Sequence, residues 1–248
     1  MFIDSHAHLT DAGLERFDLQ GALDAVVVSA YNAQNIEKTL QLAADNPKLF
    51  ATIGIHPQFC GDYNGEIEHV IRSSRTQIVG IGEIGLDNNY LTDFALQKRV
   101  FVRQLELAGE LGLPVVVHAR GCYAEELGIL QDFKGLNFML HAFNGTQSDC
   151  AKALDLGGYI SFAGNITYKR HVDLRKTAAS VPLSRLLIET DSPNALPSVF
   201  MRKGVNTPNN VGYVASAIAD ARGVSVDEIA DATRQNAIKL FNLDIKES

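Results

Sequence analysis

Eight short apolar runs recur along the chain, with longer amphipathic stretches between them. The runs are Phe2–Ser5, Ala25–Ser29, Phe50–Ile55, Ile78–Ile84, Pro114–His118, Leu136–His141, Tyr159–Ala163 and Leu186–Thr190. Continuous Val/Ile/Leu/Phe runs of this length read as strands buried on both faces, as in a parallel sheet. The intervening stretches carry helical periodicity: Ile36, Leu40 and Ala43 share one stripe within Asn35–Asp45, and Phe94, Phe101, Leu105 and Ala108 share another within Asp93–Leu111. Gly112-Leu113-Pro114 and Gly157-Gly158 read as helix stops. After the last strand, Thr207-Pro208 reads as a helix start and Ser225-Val226-Asp227-Glu228 as a capping box. Repeated strand–helix units with no linker or shift in composition predict an α/β chain, a single-domain (β/α)8 barrel over residues 1–248. A doubly wound open sheet is the competing topology.

Polar residues gather at the C-terminal ends of the runs. Asp4-Ser5-His6-Ala7-His8 closes the first, Glu83 to Asp87 the fourth, His118-Ala119-Arg120 the fifth, His141 to Gly145 the sixth, and Glu189-Thr190-Asp191-Ser192-Pro193 the eighth. In a barrel these ends meet at one rim, where active sites are built. Alternation along a strand points His6 and His8 the same way. Imidazole pairs suit a divalent transition metal. His6, His8, His118, His141, Glu83 and Asp191 offer more ligands than one open site needs, and with Glu83 as a bridge they can hold two cations. Taken singly, each of these residues has a structural reading: a hydrogen-bonded histidine, an ion-paired glutamate or an N-cap aspartate. Taken together they would be expensive to bury without a cation.

His56, in Gly54-Ile55-His56-Pro57, reads as a proton donor or substrate contact. Asp4 and Glu189 read as groups one layer below the rim that orient imidazoles. His69 and His171 fall in helical segments and read as surface residues, and Cys122 has no neighbouring base to activate it. The three cysteines lack metal spacing and disulfide pairing. With no apolar stretch long enough to span a bilayer and no secretory leader, the chain reads as cytoplasmic, with no membrane partner and no obligate protein partner. A net charge of -7 argues against coating duplex by bulk electrostatics, but leaves room for a local basic patch.

The motifs, in order, resemble the TatD family of metal-dependent hydrolases. They are His6-x-His8, Gly54-Ile55-His56-Pro57, Gly80 to Asp87, His118-Ala119-Arg120, His141-Ala142-Phe143-Asn144-Gly145 and Glu189-Thr190-Asp191-Ser192-Pro193. The resemblance covers nearly the whole chain. It implies a TIM barrel, divalent metal ions and DNase or other phosphodiester-hydrolysing activity. It also implies His6, His8, Glu83, His118, His141 and Asp191 as metal ligands. Val205-Asn206-Thr207-Pro208 lacks the arginine and glutamate of the family's run after strand eight.

The expected chemistry is hydrolysis by water activated on a cation. Asp191 would take the proton, Glu83 would bridge, and His56 would protonate the leaving oxygen. Arg120, Asn144 and Arg202 are the substrate-contacting candidates, with Lys169, Arg170 and Lys203 as further basic groups. The expected partner is a short or single-stranded DNA end, or another small phosphoester. The same ligands also suit amide, ester or aminoacyl substrates, and a non-catalytic metal-binding barrel is a third reading.

Overall fold

The computed structural model describes residues 1–14, 19, 21–200 and 204–245. Eight strands form one parallel sheet in chain order: β1 (Phe2–Ala7), β2 (Leu23–Ser29), β3 (Leu49–Ile53), β4 (Ile78–Asp87), β5 (Val115–Arg120), β6 (Phe138–Leu140), β7 (Tyr159–Phe162) and β8 (Leu186–Ile188). The edges meet just beyond β8, where the Asp191 amide donates to the His6 carbonyl at 3.0 Å and the His8 amide to the Ser192 carbonyl at 2.7 Å. The sheet is thus a nearly closed barrel, not the open doubly wound alternative.

Helices alternate with the strands from β2 onward: α1 (Ile36–Asp45), α2 (Gly65–Ser73), α3 (Phe94–Leu111), α4 (Tyr123–Leu130), α5 (Gln147–Asp155) and α6 (Val172–Ser180). After β8 come α7 (Val211–Arg222) and α8 (Val226–Phe241). The first strand–helix unit departs from expectation, because the described residues between β1 and β2 hold no α-helix. The helix stop at Gly112 is as expected, since that glycine adopts the left-handed conformation that ends α3. Ser225 accepts the Glu228 amide to open α8. Thr207 makes no side-chain cap bond, and a short 3-10 turn, Pro208–Asn210, leads into α7 instead. Asn206 holds this entry by donating to the Thr190 and Asn194 carbonyls and accepting from Asn210.

Two apolar layers result. Outward side chains such as Val26, Val28, Ile81, Ile84, Val115 and Val117 pack beneath the helices. Inward ones, including Ile3, Ala25, Val27, Val116, Met139 and Leu187, fill the lower barrel, where Leu240 and Phe241 at the end of α8 join them. The core therefore occupies the N-terminal end of the barrel and leaves the C-terminal end to polar groups.

Candidate metal centre

Strict alternation would not deliver all of these groups to one place. β1 pairs Asp4 with Val26 and Ala7 with Val28, so three steps on β1 match two on β2. β4 does the same, pairing Ile81 with Val115 and Ile84 with Val117. Each strand carries one extra residue, a β-bulge, at the point where it reaches the rim. In β1 the extra residue puts Ile3 and Ser5 inside, then His6 and His8 inside as well. Asp4 consequently faces outward beside Val26, not inward with the histidines as expected. There it accepts the Thr190 amide at 2.8 Å and binds the Thr190 hydroxyl. In β4 the extra residue brings Glu83 inward directly after Gly82. Gly82 has no room for a side chain, since a Cβ would stand 2.6 Å from Val116 Cβ.

Glu83 lies at the middle of the cluster and presents one oxygen to each side. Oε1 is 2.8 Å from His118 Nδ1 and 2.8 Å from His141 Nε2. Oε2 is 3.3 Å from His8 Nε2 and 3.6 Å from His6 Nε2. Asp191 Oδ1 joins that second side, 3.6 Å from His8 Nε2 and 3.8 Å from His6 Nε2. Within each pair the imidazole nitrogens are 3.1 Å apart. Ligand atoms bound tetrahedrally at about 2.1 Å stand about 3.4 Å apart, so both groups match the spacing of a shared ion. His6/Glu83/His141, His6/His8/Asp191 and His56/Glu83/His118 each gather ligand atoms within 4.8 Å.

The far nitrogens explain the aim of the rings. His8 Nδ1 lies 3.0 Å from the Ser29 carbonyl and His6 Nδ1 3.0 Å from the Ser29 hydroxyl. His118 Nε2 lies 2.9 Å from Asp87 Oδ2, and His141 Nδ1 lies 3.2 Å from Glu189 Oε1. The Ser29 carbonyl and the two carboxylates can only accept, so His8, His118 and His141 donate outward and turn a lone pair inward. A neutral set would leave nitrogen and oxygen lone pairs crowded together, and such a cluster demands positive charge.

Without a cation, protons would supply that charge. Burial pushes Glu83 toward neutrality, but the His141 and His56 rings and the His118 and His141 hydrogen bonds hold it well below the carboxylate range. Burial likewise opposes charge on His8, His118 and His141, yet the carboxylates overcome it; His8 rises to about 9 and the other two rise as well. His6 falls to about 4 through burial and then His141. Burial lifts Asp191 to about 6.

The remaining predicted residues fall around this cluster. His56 Nε2 is 3.6 Å from Glu83 Oε1, while its Nδ1 accepts the Gln58 amide at 3.1 Å. The neutral ring therefore carries its proton on Nε2, toward the centre; burial lowers its pKa to about 3. Arg120 is exposed at the end of β5. Asn144 is exposed after β6, its Oδ1 accepting from the Tyr123 hydroxyl. Arg202 and Lys203 lie outside the described residues. Glu189 faces inward as expected and ties the Ala142 amide as well as His141. His69 is exposed on α2, and His171 precedes α6 with Nδ1 at 2.9 Å from the Asn165 carbonyl. Cys122 is buried, and burial raises its thiol to about 12.

Two contributors escaped sequence reasoning. Asp87 was legible only as part of a motif, yet it orients His118. Ser29 ends an apolar strand, yet it holds both β1 imidazoles. The signal for Ser29 was a lone hydroxyl at a strand's C-terminal end.

A (β/α)8 barrel with buried imidazole–carboxylate clusters at its C-terminal mouth defines the class: a metal-dependent hydrolase. The chain matches the family described as TatD related DNase over residues 3–242 and belongs to that family. It is 34% identical over 259 residues to the metal-dependent hydrolase YcfH of Escherichia coli K12, covering 98% of this chain and 96% of that one. It is 32% identical over 234 residues to the 3′-5′ ssDNA/RNA exonuclease TatD of Erwinia tasmaniensis, covering 90% of each. The crystal structure of YjjV, a TatD homologue from E. coli K12, superposes with a TM-score of 0.89 at 29% identity, covering 97% of this chain and 98% of that one.

Proposed function

We propose that this chain is a divalent-metal-dependent phosphodiesterase that acts on the ends of single-stranded DNA, with Glu83 placed so that it would help hold two cations. The observation that carries this reading is the division of Glu83: one oxygen faces His6 and His8, the other His118 and His141. His6, His8 and Asp191 would hold one ion and His118 with His141 the other. When bound, the ions supply Lewis acidity that acidifies water and offsets phosphate charge.

The protein groups have separate tasks. Asp191, whose side chain is 14% exposed and so opens toward solvent, accepts the proton of the attacking water. His56, with the Nε2–H of its neutral ring turned to the centre, donates a hydrogen bond to the leaving oxygen, which takes its proton from water. Arg120, exposed at the end of β5, and Asn144, exposed after β6, hold the nonbridging oxygens and the sugar, with Arg202 assisting them. The nucleic-acid preference draws support from the exonuclease relatives. The net charge of -7 favours a thin strand end over a long duplex.

The test is an assay of metal-loaded protein on 3′-labelled single strands, on duplex and on a panel of amide and ester substrates. Shortening of the single strand, abolished by Glu83→Ala, is expected. Turnover confined to the acyl panel would overturn the proposal.

A further inference from the structure

The loop from β4 to α3 carries an apolar pair into water beside the centre. Leu91 is fully exposed and Tyr90 is 38% exposed. Adjacent in the chain, the two offer an aromatic and an aliphatic surface beside the centre. The tip is held firmly. Asp87 Oδ1 accepts from the Asn89 amide at 2.8 Å and from Asn89 Nδ2 at 3.0 Å. Asn88 Nδ2 donates to the Gly121 carbonyl at 2.6 Å. On the other side Gln97 Nε2 donates to Thr92 Oγ1 at 2.8 Å, and that hydroxyl donates to the Pro57 carbonyl at 3.2 Å. Asp87 thus anchors this loop with one oxygen and His118 with the other.

The ring of Tyr90 stands edge to face against His56, with centroids 5.6 Å apart at 85°. His56 in turn reaches Glu83 at 3.6 Å. One imidazole therefore separates the aromatic tip from the Glu83 carboxylate. The phenol also lies within the fields of Asp87, Glu83 and Arg120.

We propose that Tyr90, with Leu91 beside it, is a stacking platform for the terminal nucleobase of a single strand whose phosphodiester lies at the metal centre. The inference rests on the nuclease reading and adds the group that positions the strand end. Every base has a π-face, so the platform selects for an unpaired end without selecting a sequence. A base within a duplex is already stacked and paired, so it does not present that face.

The test compares metal-loaded wild type, Tyr90→Ala and Tyr90→Phe on one single-stranded oligonucleotide and on the same strand ending in an abasic residue. Tyr90→Ala is expected to raise KM about 10-fold on the normal strand with kcat changed less than about 2-fold. On the abasic strand wild type itself shows the raised KM, and Tyr90→Ala adds nothing. Tyr90→Phe restores the wild-type KM. An equal rise on both strands, or no rise on the normal one, overturns the platform and leaves the nuclease reading standing. Failure of wild type to cut either strand overturns the nuclease reading, and the platform falls with it.

Discussion

At the residue scale the outer partners of the imidazoles decide the chemistry as much as the imidazoles do. Asp87 accepts from His118 Nε2 and so leaves Nδ1 free for the centre. Asp87→Asn keeps the shape but allows the wrong tautomer. It is expected to weaken the ion between His118 and His141 by about 10–100-fold while sparing the His6/His8 side; metal titration followed by calorimetry checks this, and equal weakening of both sides would refute it. Glu126 on α4 behaves differently. It is fully buried, and neither carboxyl oxygen has a hydrogen-bond partner among the described residues. Burial raises its pKa well above 4.5, against the opposing pulls of the Leu86 backbone and then of the His141 ring. A pKa raised on folding stabilises fully below the unfolded value and ceases to do so as pH climbs through the folded one. Glu126→Gln is therefore expected to gain progressively on wild type as pH rises above 4.5. Urea unfolding in metal-saturated buffer measures this; a pH-independent difference would show that the carboxyl is ionised or paired.

At the scale of elements, the two bulged strands set the geometry, and the glycines of β4 are the sensitive points. Gly85 has φ 149°, and a Cβ there would stand 2.0 Å from the His118 carbonyl oxygen, which the backbone cannot yield. Gly85→Ala is expected to lose about 2–5 kcal/mol and to disturb Glu83 and Asp87 on either side; denaturant midpoints and metal content report both. The alternation of apolar runs and helices made the barrel legible, because buried parallel strands have few other ways to appear in sequence. The ligands were legible because their positions at strand ends are a matter of chain order alone. Facing was legible only in part. Asp4, His6 and His8 share one parity, yet the extra residue in β1 turns Asp4 the other way. A bulge has no consistent sequence signature beyond a nearby glycine, and β1 has none. Glu126 was illegible for a related reason: a charged residue on a short helix reads as surface until packing shows otherwise.

At the scale of the whole molecule, the barrel divides its labour. The lower half is apolar and closed by the end of α8, while the upper half concentrates charge that folding alone leaves unbalanced. Cations that bind only the folded chain stabilise it by mass action, about 2.7 kcal/mol for one ion at a hundred times its Kd. Removing metal is expected to lower Tm by about 5–10 °C in a chain of this size; a chelator titration in differential scanning calorimetry checks it. Rebinding near neutral pH is expected to release protons, because the carboxylates around His8 raise it to about 9 when no cation competes. Calorimetry in buffers of different ionisation enthalpy reads that release.

The position of Glu83 carries a lasting consequence. A side chain that serves two neighbours cannot be tuned for one without detuning the other, so evolution has little liberty at that point of the barrel. Novelty in this molecule is channelled to the segments that hang over the opening, such as residues 88–93, where a new recognition preference can be tried without disturbing the imidazole–carboxylate cluster.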